Sequence, residues 1–251
     1  MTAAARQREI SDLRERISTM ERVSAKIAGC LAFGVPEIDI ILSGGGLAYG
    51  ALHEFAGGGA GTIDGAAAAL CAAGIAARTK GPIVWCLTRP DLFFPALAQV
   101  GLHPDRVIFV ESDKDEDVLV NMEEGVSFGG LGAVVGELVR LPMVSSRRLQ
   151  LAAERTGTMA LAVRRWRRQT EANDFGQPTA STTRWHVSVM PSENMPVPGV
   201  GRAQWFLELM RVKAGECAEF LVRACDDKGR IDLSPGSADR SDQTRRSINS
   251  G

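Results

Sequence analysis

The sequence predicts an α/β fold in which a mainly parallel β-sheet is flanked by helices. From residue 51 to residue 163, short runs of large apolar residues alternate with helical runs, an order typical of parallel sheets covered on both faces. Strand-like runs over 185–190, 204–212 and 219–225 then follow one another without helices between them. This second pattern indicates an antiparallel extension at one edge of the same sheet.

Local residue patterns justify each element in order. Runs of apolar residues predict strands over 51–55, 83–87, 106–111, 131–135 and 158–163. Helices are predicted between them, over 62–78, 90–100, 113–124 and 145–155. The first helix is rich in alanine, the third opens with acidic residues that suit the positive end of its dipole, and the fourth is amphipathic. The segment over 164–183 is polar and has no sustained period.

The strand over 204–212 carries large apolar side chains on both faces. Trp205, Leu207 and Leu209 alternate with Phe206 and Met210. The strand is therefore either covered by the rest of the domain or exposed as a binding edge, where a partner strand could add to its free backbone groups.

Composition is that of an ordinary globular protein with reduced cysteines. The chain has 251 residues, 45% of them hydrophobic, which is enough to bury a core without disulfide bonds. Its 29 basic and 30 acidic residues leave a net charge of −1, so any contact with nucleic acid must be local. Five cysteines without CxxC spacing indicate a cytoplasmic protein with no metal site. The longest apolar stretch, over 65–77, is too short to span a membrane.

The chain divides into three parts. Residues 1–29 are predicted to contain an amphipathic helix whose apolar stripe could pack on its own domain or dock on a partner. This candidate partner helix presents Ile10, Leu13, Ile17 and Met20. Residues 30–233 form the predicted α/β domain. Residues 234–251 have almost no apolar side chain, and we expect a disordered tail.

A glycine-rich loop between the first strand of the domain and its first helix is the most informative motif. Such a loop places backbone N–H groups and a helix dipole where an anion could bind. A working phosphate loop has the pattern GxxxxGK[ST], in which the lysine reaches the phosphates and the hydroxyl holds Mg²⁺. Counted from Gly57, Thr62 stands in place of the second glycine, Ile63 in place of the lysine and Asp64 in place of the hydroxyl residue.

These substitutions predict a degenerate phosphate loop, made of Gly57, Gly61, Thr62, Ile63 and Asp64. The lysine that would attract phosphate is missing, and Asp64 adds a like charge. Two like unit charges about 4 Å apart repel by roughly 4 kcal/mol at an effective dielectric constant of about 20. We therefore expect no ATP hydrolysis and no cofactor, with weak nucleotide binding as the remaining alternative.

A basic segment follows the last strand of the parallel series. Between residues 140 and 168 the sequence has eight arginines and one acid, and its densest part reads Arg164, Arg165, Trp166, Arg167 and Arg168. Guanidinium groups bind phosphate, and a tryptophan ring can stack on a base. The segment is a candidate contact for single-stranded DNA or for an acidic protein surface, and a solvated loop without a partner is the third possibility.

Longer stretches of the sequence resemble two related families. Residues 33–65 resemble the entry to the nucleotide-binding core of RecA-type recombinases. The residues that fit that pattern are Leu42, Gly44, Gly45, Gly46, Leu47, Gly50, Glu54 and Gly57. SSRRLQLAAERTG at 145–157, TRW at 183–185, RAQWFLELMRVKAG at 202–215 and DDKGRIDL at 226–233 resemble the ImuA family. The resemblance covers roughly residues 5–233 and implies a RecA-like core.

The RecA resemblance also implies where catalytic residues would stand. The catalytic acid of RecA-like ATPases should fall near Pro90, which cannot act as a base, and the Mg²⁺-supporting acid should fall near Gly136, beside Glu137. Together with the altered loop, these positions favour a binding role over catalysis.

The ImuA resemblance implies a non-catalytic RecA-like accessory protein in SOS-induced error-prone translesion DNA synthesis. Its implied partners are an ImuB-like homologue of Y-family polymerases, RecA and, indirectly, an error-prone replicative-type polymerase. The alternative is an active RecA-like ATPase that binds single-stranded DNA and remodels RecA filaments.

Overall fold

A nine-stranded mixed β-sheet organises the part of the chain that the structure describes. The structure is a computed structural model, and it describes residues 29–234 except 60, 167–168 and 213–215. The predicted amino-terminal helix, with its stripe, and the predicted tail beyond residue 234 lie outside the described residues.

Eleven strands are present in the described ranges. They are β1 (Cys30–Leu31), β2 (Leu47–Ala48), β3 (Leu52–Gly57), β4 (Ile83–Leu87), β5 (Val107–Glu111), β6 (Ala133–Leu138), β7 (Met159–Arg164), β8 (Thr183–Met190), β9 (Gln204–Val212), β10 (Ala218–Arg223) and β11 (Asp232–Leu233). The first two pair with each other as a small antiparallel sheet, and the other nine form the main sheet. The sequence did not predict β1, β2 or β11, each of which is only two residues long.

Within the described part of the chain, five α-helices connect the strands. They are α1 (Pro36–Asp39), α2 (Thr62–Ala77), α3 (Phe94–Gln99), α4 (Asp115–Phe128) and α5 (Met143–Thr156). Two 3₁₀ segments, Pro104–Arg106 and Gln169–Gly176, complete the connections. The segment over 164–183, which showed no periodicity, therefore contains the end of β7 and a 3₁₀ turn.

The strand order of the main sheet is β11-β10-β9-β8-β3-β7-β6-β4-β5. Neighbours from β8 to β5 run parallel, whereas β8 to β11 pair antiparallel. The predicted α/β class, with a mainly parallel sheet and antiparallel carboxyl-terminal strands, is confirmed. Because β9 is paired on both sides, the alternative that it forms a binding edge is wrong.

Two hydrophobic cores lie on opposite faces of the sheet. On one face, the alanine-rich α2 packs closely against the strands, and Trp185 stands between Phe33 and Phe55 with ring centroids 5.5 and 6.5 Å away. On the other face, Met122 of α4 and Leu149 of α5 pack on residues of β3, β6 and β7. Helices cover both faces of the parallel half, as the alternation of elements predicts.

No helix in the described ranges has both the length and the hydropathy that a membrane crossing requires.

The contact between α2 and the turn before β11 depends on two glycines. Gly229 has a φ of +68°, and a Cβ atom there would overlap the carbonyl oxygen of Gly74 in α2. A side chain at this position is therefore opposed both by backbone strain and by a backbone clash that cannot relax through rotamers.

We expect Gly229→Ala to lower the free energy of unfolding by about 2–4 kcal/mol, measured by urea denaturation. Gly130→Ala is the matched control, because Gly130 also has a positive φ, +70°, but no atom lies within 4 Å of its would-be Cβ. The control should lose only about 1 kcal/mol. Equal losses in the two variants would contradict the proposed clash.

Candidate functional site

The glycine-rich loop lies where β3 ends and α2 begins, at the carboxyl edge of the parallel strands. The Gly58 N–H donates to the Val187 carbonyl oxygen at 3.1 Å, which extends the pairing of β3 with β8. A Cβ on Gly58 would overlap the Ser188 hydroxyl, and a Cβ on Gly59 would overlap the Asp64 carboxylate. The absence of side chains therefore lets the loop lie flat against β8 and the first turn of α2.

Asp64 is turned back onto this loop. Its Oδ1 accepts a hydrogen bond of 2.7 Å from the backbone N–H of Val189, and its Oδ2 lies against Gly59. Ile63, at the position where a phosphate loop has lysine, is 70% exposed, and Thr62 is also exposed. The Asp64 carboxylate therefore lies against the loop, and it also anchors the end of β8.

The prediction that Arg164 belongs to an exposed basic loop is wrong. It is the last residue of β7, and its side chain is fully buried on the sheet face that Glu54 shares. Its Nη1 lies 3.1 Å from Glu54 Oε2, its Nη2 donates to the Val139 carbonyl at 2.8 Å, and it also pairs with Asp174. The polar run misled the sequence interpretation because β7 extends one residue into it, so Arg164 is not available to a DNA strand or a partner.

Glu54 is the centre of this buried cluster. It is fully buried and accepts hydrogen bonds from the hydroxyls of Thr179 and Ser181 as well as from Arg164. Arg184, which stands opposite Glu54 in the register of β3 with β8, places its Nε 3.4 Å from Glu54 Oε1. A buried carboxylate is tolerated only when it is paired and hydrogen-bonded in this way.

Phe175 closes the cluster from the solvent side. The Arg184 guanidinium carbon lies 4.3 Å from the centroid of the Phe175 ring, and Arg184 also donates to the Phe175 carbonyl. Phe175 is buried and sits in the 3₁₀ segment that connects β7 with β8. The polar segment over 164–183, which has no sustained period in the sequence, therefore covers the buried ion pairs.

Arg165, the residue after β7, is also paired with carboxylates, but with a different set from Arg164. Its Nη1 and Nη2 donate to the two carboxylate oxygens of Asp91 at 2.8 and 3.2 Å, and Nη1 also pairs with Glu137. The indole N–H of Trp85 donates to Glu137 Oε1 at 2.9 Å. Burial raises the pKa of Glu137, and the charge of Arg165 opposes that rise. Arg165 thus joins the ends of β4, β6 and β7.

A cavity of about 250 Å³ opens beside Arg165 at the carboxyl edge. Its charged lining residues are Arg89, Arg165, Asp91, Asp115 and Glu137. Two positive and three negative side chains therefore face the space next to the amino end of α2. This balance disfavours a polyanion there, and the Asp64 charge adds to the effect.

Trp166 lines a second cavity, of about 340 Å³, together with Gly57–Gly59, His186 and Met210. The Trp166 ring centroid lies 5.9 Å from that of Phe175, which in turn lies 4.7 Å from the His186 ring. Burial lowers the pKa of His186, and the charge of Arg184 lowers it further, which favours a neutral imidazole. Arg167 and Arg168, the other members of the predicted basic segment, lie outside the described residues.

Sequence reasoning missed the partners of these arginines. The sequence did not predict that Asp91, Asp174 and Arg184 join these ion pairs, because their contacts depend on which strands are neighbours. The available signal was Glu54, an acidic residue inside a predicted buried strand. Within the described ranges, no group of three His, Cys, Asp or Glu side chains could hold a metal ion.

Comparison with known proteins identifies the family. No protein-family model matches the chain. The chain is 33% identical over 204 residues to Protein ImuA of Caulobacter vibrioides strain NA1000 / CB15N, an alignment that covers 77% of this chain and 83% of the relative. Protein ImuA of Caulobacter vibrioides strain ATCC 19089 / CIP 103742 / CB 15 matches with the same identity and coverage.

The chain belongs to the ImuA family. The resemblance on residues 145–157, 183–185, 202–215 and 226–233 is therefore confirmed at the level of the family. In this ImuA-family chain, the segment over 183–185 begins β8 and includes Arg184, so one of the stretches that carried the resemblance also supplies a member of the buried ion cluster.

We expect Glu54→Gln to lower the free energy of unfolding by about 3 kcal/mol, because it leaves two buried guanidinium groups facing a neutral amide. The matched control is Glu123→Gln, which breaks the pair between Glu123 and the largely exposed Arg148. The control should cost less than about 1 kcal/mol. Urea denaturation measures both, and a loss for Glu54→Gln no larger than the control's would show that the buried pair does not stabilise the fold.

Proposed function

We propose that this ImuA-family chain is a non-catalytic, RecA-like accessory protein of error-prone translesion DNA synthesis that acts by binding other proteins. Its proposed partners are an ImuB-type polymerase homologue, RecA or both. The observation that carries the proposal is that Asp64, Arg165, Asp91 and Glu137, at the carboxyl edge, are already engaged in contacts within the fold. Asp64 anchors β8, and Arg165 is held between Asp91 and Glu137.

The charges at this edge support a binding protein over an ATPase. An ATPase needs a cation at the phosphates and acids free to hold Mg²⁺ and water. Here the lysine position is Ile63, and the first downstream lysine, Lys80, follows the far end of α2. A helix of 16 residues is roughly 24 Å long, so Lys80 is too distant to reach the loop.

The outer side of β5, the last strand in the order of the main sheet, offers a surface that suits a protein partner. Among the described strands, β5 pairs with β4 alone, so its outer backbone groups are free to receive another strand. Ile108 on β5 is 56% exposed, and Phe93 and Phe94, at the start of α3, are also exposed. The Phe94 ring packs 4.8 Å from that of Phe109 on β5. Apolar side chains thus flank the free edge.

The amino-terminal stripe is a second proposed contact. RecA-type protomers place an amino-terminal helix on a neighbour's core, and Ile10, Leu13, Ile17 and Met20 could do the same on RecA. Direct contact with single-stranded DNA has weaker support, because Arg164 and Arg165 are already paired with carboxylates.

We expect Ile108→Lys to weaken binding to RecA or to an ImuB-type homologue by about tenfold or more, because a charge would be placed on an apolar edge. Biolayer interferometry with the full chain measures the affinity. Ile40→Lys is the matched control, since Ile40 is 84% exposed at the end of α1. Unchanged binding of the Ile108 variant to both proteins would contradict the assignment of this edge.

Titration calorimetry with Mg-ATP separates the proposal from the alternative, an ATPase that remodels RecA filaments. We expect no binding heat at millimolar nucleotide, because the loop presents a carboxylate where phosphate would approach. Asp64→Asn removes that charge without a large change in shape, so it should bind ATP at least as well as the unchanged chain. Heat of binding and turnover by the unchanged chain would establish the alternative.

A further inference from the structure

The cavity beside the glycine-rich loop is lined by three aromatic rings that contact one another in a row. Its volume is about 340 Å³, and the rings are those of Trp166, Phe175 and His186. The Trp166 and Phe175 centroids lie 5.9 Å apart, and the Phe175 and His186 centroids lie 4.7 Å apart. Aromatic rings attract one another at separations of roughly 4.5–7 Å, so the row can be extended by one more ring.

The apolar surface of this cavity is not fully used by the fold. Trp166 is half-buried, whereas the other three tryptophans, Trp85, Trp185 and Trp205, are buried. Met210 also lines the cavity and is 47% exposed. Large apolar side chains that line a cavity and remain open to solvent are typical of a binding site.

The size of the cavity limits what it can hold. Pockets for small ligands have volumes of roughly 300–1,000 Å³, and this cavity lies at the lower end of that range. Residues 57–59 contribute part of its lining and are all glycine, so peptide groups without side chains face the space there. A single planar group fits such a site better than a length of peptide chain.

Two carboxylates border the glycines of the lining. A Cβ on Gly58 would lie 3.4 Å from Glu208 Oε2, and a Cβ on Gly59 would overlap Oδ2 of Asp64. Both negative charges oppose a phosphate group beside the cavity. The charges therefore disfavour a nucleotide or a nucleic acid as the occupant.

A positively charged occupant is disfavoured by Arg184. This arginine lines the cavity, and its guanidinium carbon lies 4.3 Å from the centroid of the Phe175 ring. A cation thus already lies over the Phe175 face, and a second cation entering the cavity would be repelled by it. An uncharged aromatic group meets neither penalty.

Glu208 offers a hydrogen-bond acceptor to such a group. Among the described residues, its ion-pair contact is with His186, whose Nδ1 lies 3.8 Å from Glu208 Oε2. Burial and the charge of Arg184 lower the pKa of His186, which favours the neutral imidazole. Burial and the charge of Glu219 raise the pKa of Glu208. A hydrogen-bond donor on the occupant would therefore stabilise the Glu208 carboxylate.

We propose that this cavity receives the side chain of one tryptophan or tyrosine from a partner protein. The ring of that residue packs against Trp166, and its N–H or O–H donates to Glu208. Aromatic side chains seated in pockets supply much of the binding energy of protein interfaces, and these two residue types combine an apolar ring with one donor. The inference rests on the proposed function, because it assigns part of the binding to a protein partner.

The first test measures binding of the full chain to a purified ImuB-type homologue and to RecA by biolayer interferometry. We expect Trp166→Ala to weaken binding to one of the two proteins by about tenfold or more, because the partner's ring loses its main contact. Phe128→Ala is the matched control. It removes an aromatic ring that is 83% exposed at the end of α4, and it should leave both affinities unchanged.

Two further variants separate loss of the site from loss of structure. Ala172→Phe keeps the three rings and places a side chain in the cavity that Ala172 lines, so it should weaken the same interaction by a similar factor. Glu208→Gln keeps an acceptor oxygen but removes its charge, and a smaller loss of about threefold is expected. Urea denaturation of each variant checks that the domain is folded.

Competition identifies the kind of side chain that binds. About 10 mM N-acetyl-tryptophanamide should reduce binding of the unchanged chain to that protein, whereas N-acetyl-leucinamide and N-acetyl-argininamide should not. Inhibition by the arginine derivative without inhibition by the tryptophan derivative would contradict an uncharged aromatic occupant.

Unchanged affinity of Trp166→Ala and Ala172→Phe for both proteins would overturn this inference and leave the proposed function intact. Binding of neither protein by the unchanged chain would refute the proposed function and the inference together. A single-stranded oligonucleotide tests the remaining class of ligand. Oligonucleotide binding that is lost in Trp166→Ala, with protein binding unaffected, would replace the partner's side chain by a nucleobase.

Discussion

The buried carboxylate of Glu54 is the constraint on which the rest of the sheet depends. It lies in β3, and the guanidinium groups that face it come from β7 and β8, the two strands on either side. A charge in this position cannot be solvated, so the three strands must keep their register and the connection between β7 and β8 must cover the cluster. Phe175 and the hydroxyls of Thr179 and Ser181 provide that cover.

The same principle governs the charged residues at the carboxyl edge. Arg165 pairs with both Asp91 and Glu137 across three strand ends, and Asp64 holds the end of β8. Side chains that might have contacted a ligand are thus used to join strands. Among the described residues, the outer side of β5 lies away from these contacts, and apolar side chains flank it.

The sequence predicts the layers of this fold better than its site. Periodicity identified the strand over 83–87 and the helix over 145–155 to within two residues, because each has its own apolar pattern. Arg164 was misplaced because a polar residue at the end of a buried strand looks the same as one in a loop. Its partners come from positions 54 and 174, and that contact exists only once the strand order is known. The β5 edge was not singled out for the same reason, since an outer strand and an inner one have similar sequences.

The hydrogen bond between Asp64 and Val189 ties the first turn of α2 to the end of β8. Threonine at position 64, the residue type that a working phosphate loop has there, would remove the carboxylate that fixes β8 beside it. A neutral, shorter threonine is a poorer acceptor for that backbone N–H. Position 64 is therefore constrained from two sides, because its side chain must suit the first turn of α2 and also hold the end of a strand 125 residues further along the chain.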